Sequence, residues 1–155
     1  MDDRLRELGI TLPTPSIPAA NYVPCVIVGD MAYVAGQVPF WDGALTHTGI
    51  VGRDLDLDAA RAAARVCGLN VLAHLFRALD NDLGRVVRVV RLGGFVACTP
   101  EFTDHPKVVN GASDLMVDVF GDAGRHARAA VGCASLPLGA AVEVEALFQI
   151  RPAGR

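Results

Sequence analysis

The clearest pattern of hydrophobic positions lies between residues 57 and 79. Small and apolar residues recur there at steps of three and four, the spacing of one face of an α-helix. They are Ala60, Ala64, Gly68, Val71 or Leu72, Leu75 and Leu79. Asp56 or Asp58 can cap the start, because a carboxylate accepts from the first free N–H groups and suits the positive end of the helix dipole. We therefore predict a helix over Leu57 to Leu79 that packs on a sheet.

β-rich runs predict the strands. A hairpin is indicated by two apolar runs, NYVPCVIVG and MAYVAGQV, that meet at Gly29-Asp30. Residues 85–98 are β-branched and predict a long strand with a bulge or bend at Gly93 and Gly94. Residues 39–54 carry Pro39 and three glycines and predict a loop that can include one short strand.

The C-terminal third predicts a second helix and two strands. Pro106 suits the first helical position after Asp104 as cap, and the helix is expected to run to about Phe120. Strands are expected over 128–135 and 142–150, paired as an antiparallel hairpin through LPLGA. In the last strand two sets of side chains alternate between faces, Val142, Val144 and Ala146 against Glu143, Glu145 and Leu147.

The order hairpin, helix, strand, helix, hairpin predicts an α+β fold. Its simplest form is one mixed β-sheet with both helices on one face. We divide the chain into an N-terminal extension, 1–17, with a short helix over Asp2 to Leu8, and a single domain, 18–155. The strands are rich in valine and alanine, so the uncovered face of the sheet would be a larger apolar patch than monomers tolerate. We therefore expect the chain to form oligomers through its sheet.

Composition narrows the classes of function. The length of 155 residues fits one domain, and 52% hydrophobic with 20% charged residues excludes intrinsic disorder. The net charge of −3 makes nucleic acid an unlikely partner. No apolar run approaches the roughly 20 residues needed to span a bilayer, and the charged N-terminus is unlike a signal peptide. A cytoplasmic protein without membrane contact is expected.

Common catalytic and cofactor motifs are absent from the sequence. It has no GxSxG, no P-loop and no GxGxxG after a strand, so no cofactor is predicted. The four cysteines and four histidines are too dispersed for a zinc site or redox pair, so no metal is predicted and buried, reduced cysteines are expected.

Arg128 and the two glutamates of the last strand, Glu143 and Glu145, are the first candidates for chemistry. A guanidinium at the strand end can hold a carboxylate through two hydrogen bonds, and a glutamate on the neighbouring strand can orient a water. The alternative is a pair of ordinary surface charges worth about 0–1 kcal/mol. From spacing alone both interpretations stay open, and His126 is interpreted as a surface histidine.

Three segments together resemble the RidA (YjgF, reactive intermediate deaminase) family, in its long-form branch. They are NYVPCVIVGDMAYVAGQVP, FVACTPEF with KVVNGASDLMVDVFG, and GRHARAAVGCASLPLGAAVEVEAL. The resemblance covers roughly residues 18–150 and presents the motifs in the family's order. It implies a chorismate mutase-like fold and a homotrimer, in which the sheets form a central barrel with clefts between subunits.

The resemblance also implies an activity and site residues. The family's best-known reaction is the hydrolysis of reactive enamines and imines, such as aminoacrylate, to a 2-keto acid and ammonia. Arg128 matches the arginine that binds the substrate carboxylate, and Glu143 matches the carboxylate that positions the attacking water. Tyr22 and Asn110 match residues that line the cleft, and Gly36 matches a backbone position close to the ligand.

Two positions depart from the family pattern and bear on the range of substrates. Ala35 replaces a common serine, and Ala130 replaces a cysteine.

The leading hypothesis is a cofactor-independent enamine/imine deaminase that acts on small carboxylates. The alternatives are a trimer that binds a small carboxylate such as a 2-keto acid without turnover and, more weakly, an endoribonuclease.

Overall fold

The computed structural model describes residues 2–17 and 20–153. Its helices are α1 (Asp2–Glu7), α2 (Leu57–Ala78) and α3 (His105–Phe120). The strands are β1 (Cys25–Val28), β2 (Met31–Gln37), β3 (Phe40–Trp41), β4 (Ala44–Leu45), β5 (Val86–Ala97), β6 (Ala127–Cys133) and β7 (Val142–Ile150). The first two residues of the predicted domain, 18 and 19, lie outside the described residues, and the division at residue 17 stays a prediction.

β7 lies at the centre of a five-stranded sheet with the order β1-β2-β7-β5-β6. β1 with β2, β2 with β7 and β7 with β5 are antiparallel, whereas β5 and β6 are parallel. The predicted hairpin between the last two strands is therefore wrong. A parallel pair needs a crossover connection, and α3 supplies it between β5 and β6, which leaves β7 to fill the gap beside β2.

The two faces of the sheet differ as the alternation in β7 predicts. Val142, Val144 and Phe148 are buried in the core beneath the helices. The other face carries Glu143, Glu145 and Leu147 and is uncovered in one chain. Large apolar side chains are exposed on the strands of the sheet, among them Val26, Val28, Tyr33 and Val131. The mixed sheet with two main helices and the α+β class are confirmed.

The helices largely follow their predicted bounds. α2 ends one residue before Leu79, and Asp56 caps it by accepting from the Ala59 N–H at 2.8 Å. α3 starts at His105, one residue early, and the Asp104 side chain makes no capping hydrogen bond. No helix of the described residues is long and apolar enough to cross a membrane.

β5 is bulged near its start rather than at its glycines, where the prediction is wrong. Register shifts lie between Val86 and Arg88 and again between Val89 and Arg91. The glycines instead make room for neighbours. A Cβ on Gly93 would lie 2.7 Å from Oε1 of Glu145, and one on Gly94 would overlap Val109 of α3.

α2 and α3 pack closely at Gly111, where a Cβ would overlap the carbonyl oxygen of Arg61. Gly→Ala in an open helix stabilises by about 1 kcal/mol. Here we expect Gly111→Ala to lower the free energy of unfolding by about 1–3 kcal/mol, because the methyl group forces the helices apart. Urea unfolding measures the change. Lys107→Ala is the control, because Lys107 is exposed on α3 and pairs with the nearby Asp104, and a stabilised Gly111→Ala variant would contradict the prediction.

Candidate functional site

Arg128 of β6 is held by two side chains of α3. Its Nη1 donates to Oδ1 of Asn110 at 2.8 Å and to Oγ of Ser113 at 3.1 Å. The two acceptors are three residues apart and so lie on one side of the helix. Nε and Nη2 donate to no acceptor within the described residues. A guanidinium fixed in this way keeps a fork of parallel N–H groups for a ligand.

His126 extends this arrangement behind Ser113. Its Nε2 lies 2.9 Å from Oγ of Ser113, and its Nδ1 lies 2.6 Å from the carbonyl oxygen of Gly124. The interpretation of His126 as a surface histidine is wrong, because it is partly buried and hydrogen-bonded at both nitrogens. Ser113 is absent from the sequence-based candidates, although its spacing of three from Asn110 could have indicated it.

Burial lowers the pKa of His126, and the nearby Arg128 charge lowers it further against a raising effect of the Gly124 carbonyl. Burial and Arg77 likewise lower the pKa of His74, whose Nε2 is buried without a partner among the described residues.

Both histidines make stability depend on pH. Unfolded imidazoles titrate near 6.5 and the folded ones lower, so the unfolded chain binds more protons in the interval between. We therefore expect the free energy of unfolding to fall as the pH drops below 6.5. Urea unfolding at a series of pH values measures this. The double variant His74→Leu with His126→Gln should flatten the slope, and an unchanged slope would contradict the assignment.

Glu143 lies against the backbone of β2. A Cβ on Gly36 would overlap its Oε1, so only glycine at that position leaves the carboxylate in place. Burial raises the pKa of Glu143, and the negative charge of Glu145 raises it further. Glu145 pairs with Arg91 at 3.3 Å, whereas Glu143 has no ion-pair partner within the described ranges. The Glu143 carboxyl therefore holds its proton to a higher pH than an ordinary glutamate does, as groups at functional sites often do.

Arg128 and Glu143 do not meet within one chain. Arg128 is in register with Leu92, which is buried on the helix side of the sheet. Glu143 is in register with Phe95, which like Leu92 belongs to β5. The Glu143 side chain points to the uncovered face. The expectation that they face each other on adjacent strands is therefore wrong, because β5 lies between them and their side chains leave opposite faces.

The five predicted site residues thus form two groups. Asn110 joins Arg128 on the helix side, and Gly36 joins Glu143 on the uncovered side. Tyr22 lies before β1 and is 55% exposed. The hydrogen bond from the Ala35 N–H to the Pro24 carbonyl continues the β1–β2 pairing, so the chain two residues after Tyr22 lies beside Ala35, the neighbour of Gly36.

No three His, Cys, Asp or Glu side chains in residues 2–17 and 20–153 are grouped so that they could hold a metal ion. The four cysteines are free thiols, and Cys67 is fully buried.

Residues 2–149 match the family model described as "YjgF/chorismate_mutase-like, putative endoribonuclease". The chain belongs to the YjgF/RidA family. The family resemblance and the chorismate mutase-like fold are thereby confirmed.

Three relatives in the YjgF/RidA family are especially similar. Protein TCP17 of Trypanosoma cruzi is 50% identical over 147 residues, which cover 94% of this chain and 91% of that protein. The crystal structure of Atu1372 from Agrobacterium tumefaciens, a protein of unknown function, is 50% identical with a TM-score of 0.90 and covers 96% of this chain and 91% of that one. A structure from Shewanella oneidensis MR-1, called a "putative endoribonuclease", is 34% identical with a TM-score of 0.92 and covers 96% and 98%.

Proposed function

We propose that this protein is a cofactor-independent hydrolytic deaminase of small carboxylate-bearing enamines and imines, such as aminoacrylate. The observation that carries the proposal is the anchoring of Arg128 by Asn110 and Ser113, with its Nε and Nη2 groups left for a ligand. A planar carboxylate fits this fork through two charge-assisted hydrogen bonds.

The proposal includes a homotrimer, because one chain presents Arg128 and Glu143 on opposite faces of the sheet. It also includes a location in the cytoplasm. An apolar uncovered face with exposed Val26, Val28 and Val131 favours burial against other copies of the chain. In a closed trimer each chain has two different neighbours, so Arg128 with Asn110 can face Glu143 of the partner subunit across a cleft. Gly36 and Tyr22 would lie on the Glu143 side.

The chemistry of the reaction suits these residues. Aminoacrylate takes a proton on carbon to give the imine, whose carbon is already electrophilic, so hydrolysis needs orientation and proton transfer rather than a strong nucleophile. Arg128 holds the carboxylate while Glu143 takes a proton from water as its oxygen bonds to the imine carbon. That proton passes to nitrogen and gives a carbinolamine, which carries OH and NH2 on one carbon. The hydroxyl proton is then transferred through Glu143 to the amine as the C=O bond forms and the C–N bond breaks, so that a 2-keto acid and ammonia leave.

The test is an assay that generates aminoacrylate from serine with a dehydratase and follows the release of pyruvate. The protein should accelerate this release above the spontaneous rate. If the protein does not accelerate the release but binds pyruvate saturably, then the deaminase proposal is wrong and a carboxylate-binding trimer is favoured.

Two alternatives have their own support. TdcF from E. coli has been crystallised with bound serine, which favours a site that binds small amino or keto acids without turnover. The description of the family and of the Shewanella relative favours an endoribonuclease. The net charge of −3 counts against RNA as substrate, and cleavage of RNA that is lost in Arg128→Ala would reverse this order.

A further inference from the structure

A chain of hydrogen bonds runs from a backbone carbonyl to the Arg128 guanidinium, and its donor and acceptor roles are fixed at every step. The Gly124 carbonyl can only accept, so Nδ1 of His126 carries a proton. Burial and the Arg128 charge lower the pKa of His126, which favours the neutral ring. In the neutral ring Nε2 is then an acceptor, and the Ser113 hydroxyl donates to it at 2.9 Å.

This leaves the lone pairs of Ser113 Oγ for Arg128. Nη1 donates to Oγ at 3.1 Å and to Oδ1 of Asn110 at 2.8 Å, so both of its N–H groups are used. The fork of Nε and Nη2 can then point in one direction only.

The Gly124 carbonyl, where this series of hydrogen bonds begins, is held in place by packing. A Cβ on Gly124 would overlap the carbonyl oxygen of Met116, so the turn that carries Gly124 packs tightly against the end of α3. The hydrogen bonds of His126 therefore begin at a closely packed turn.

We infer that Ser113 and His126 are positioning residues, which orient Arg128 for the carboxylate, and that His126 acts only through Ser113. The inference rests on the proposed function in one respect, that Arg128 is the group that binds the carboxylate. It adds two residues to the site and an order of dependence among them. Neither residue is required to touch the substrate.

The order of dependence is testable by a double-mutant cycle with pyruvate as ligand, measured by calorimetry on the intact protein. Ser113→Ala should weaken pyruvate binding about 10-fold, the loss of one hydrogen bond to a charged group. His126→Leu should weaken it by a smaller factor. The double variant should bind as weakly as Ser113→Ala alone, because within the described residues the neutral His126 ring is linked to Arg128 by hydrogen bonds only through Ser113.

Conservative variants separate positioning from folding. Ser113→Thr keeps the hydroxyl, and His126→Gln keeps an acceptor near the Nε2 position, so both should restore most of the affinity. Nitrogen shifts of the His126 ring in NMR spectra should show the Nδ1–H tautomer in the parent, and the Nε2 shift should change in Ser113→Ala, because that variant removes the hydroxyl that donates to Nε2.

The possible failures are distinguishable. Losses that simply add in the double variant, or an Nε2–H tautomer in the parent, would overturn the positioning role. If Arg128→Ala also leaves pyruvate binding unchanged, then the proposed function fails as well. Loss of binding in Arg128→Ala, with Ser113→Ala and His126→Leu behaving like the parent, would overturn this inference alone.

Discussion

Arg128→Ala should lower kcat/KM for aminoacrylate hydrolysis by two to three orders of magnitude. The substitution removes the partner of a buried carboxylate, a change that costs about 3–4 kcal/mol in comparable charge pairs. The assay is the coupled release of pyruvate, corrected for the spontaneous rate. Arg128→Lys should recover only part of the loss, because an ammonium keeps the charge but lacks the planar fork.

Arg125→Ala is the matched control for this prediction. Arg125 is exposed, lies three residues before Arg128 and pairs with Asp122 at 3.5 Å, so its removal changes the net charge equally. We expect it to retain nearly the parent rate. Equal rates for Arg128→Ala and the parent would reject Arg128 as the carboxylate-binding group.

Glu143→Gln should lower kcat by about 10²- to 10⁴-fold, the usual contribution of a general base. Glu145→Gln is its matched control on the same face of the same strand, because the Glu145 carboxylate pairs with Arg91. The parent's activity should also fall on the acid side at a pH above 4.5, since burial raises the pKa of Glu143 and a base must be ionised to act. A larger loss in Glu145→Gln would exchange the two roles.

The Arg128→Ala and Glu143→Gln variants also test the assembly, because Arg128 and Glu143 lie on opposite faces of the sheet. If each site takes its arginine and its glutamate from different subunits, then co-expression of Arg128→Ala with Glu143→Gln rebuilds some intact sites. Random mixing in a cyclic trimer leaves about a quarter of the sites intact. Two differently tagged chains, purified as mixed trimers, should recover about a third of the parent activity, because every mixed trimer keeps one intact site of its three. No recovery in verified mixed trimers would place both groups within one subunit's reach.

Local sequence signals predict most of the elements. The small-residue stripe from Ala60 to Leu79 identifies α2, and Gly29-Asp30 identifies the first hairpin. Which strands pair with each other is harder to predict from the sequence, because strand pairing joins residues that are far apart along the chain. A short connection such as LPLGA suggests a hairpin, whereas the crossover through α3 gives β6 a parallel partner already in place.

For the candidate site, too, the sequence predicts some residues and the tertiary structure adds others. The family motif identifies Arg128 and Glu143, and the structure adds that they leave opposite faces of the sheet. Ser113 and His126 lie within the family-like segments but are not among the site residues that the resemblance implies, and the packing of α3 beside β6 brings them to Arg128. The clearance at Gly36 is likewise visible only once β2 and β7 are paired.

The central position of β7 also has a consequence for synthesis on the ribosome. β7 is the last strand along the chain, yet it joins the β1–β2 hairpin to the β5–β6 pair. Until it emerges from the exit tunnel, the nascent chain holds two sheet fragments with open inner edges, and such edges pair readily with other chains. We therefore expect nascent chains stalled before residue 142 to be protease-sensitive and to need protection from aggregation, and folding to be completed only after release of the last strand.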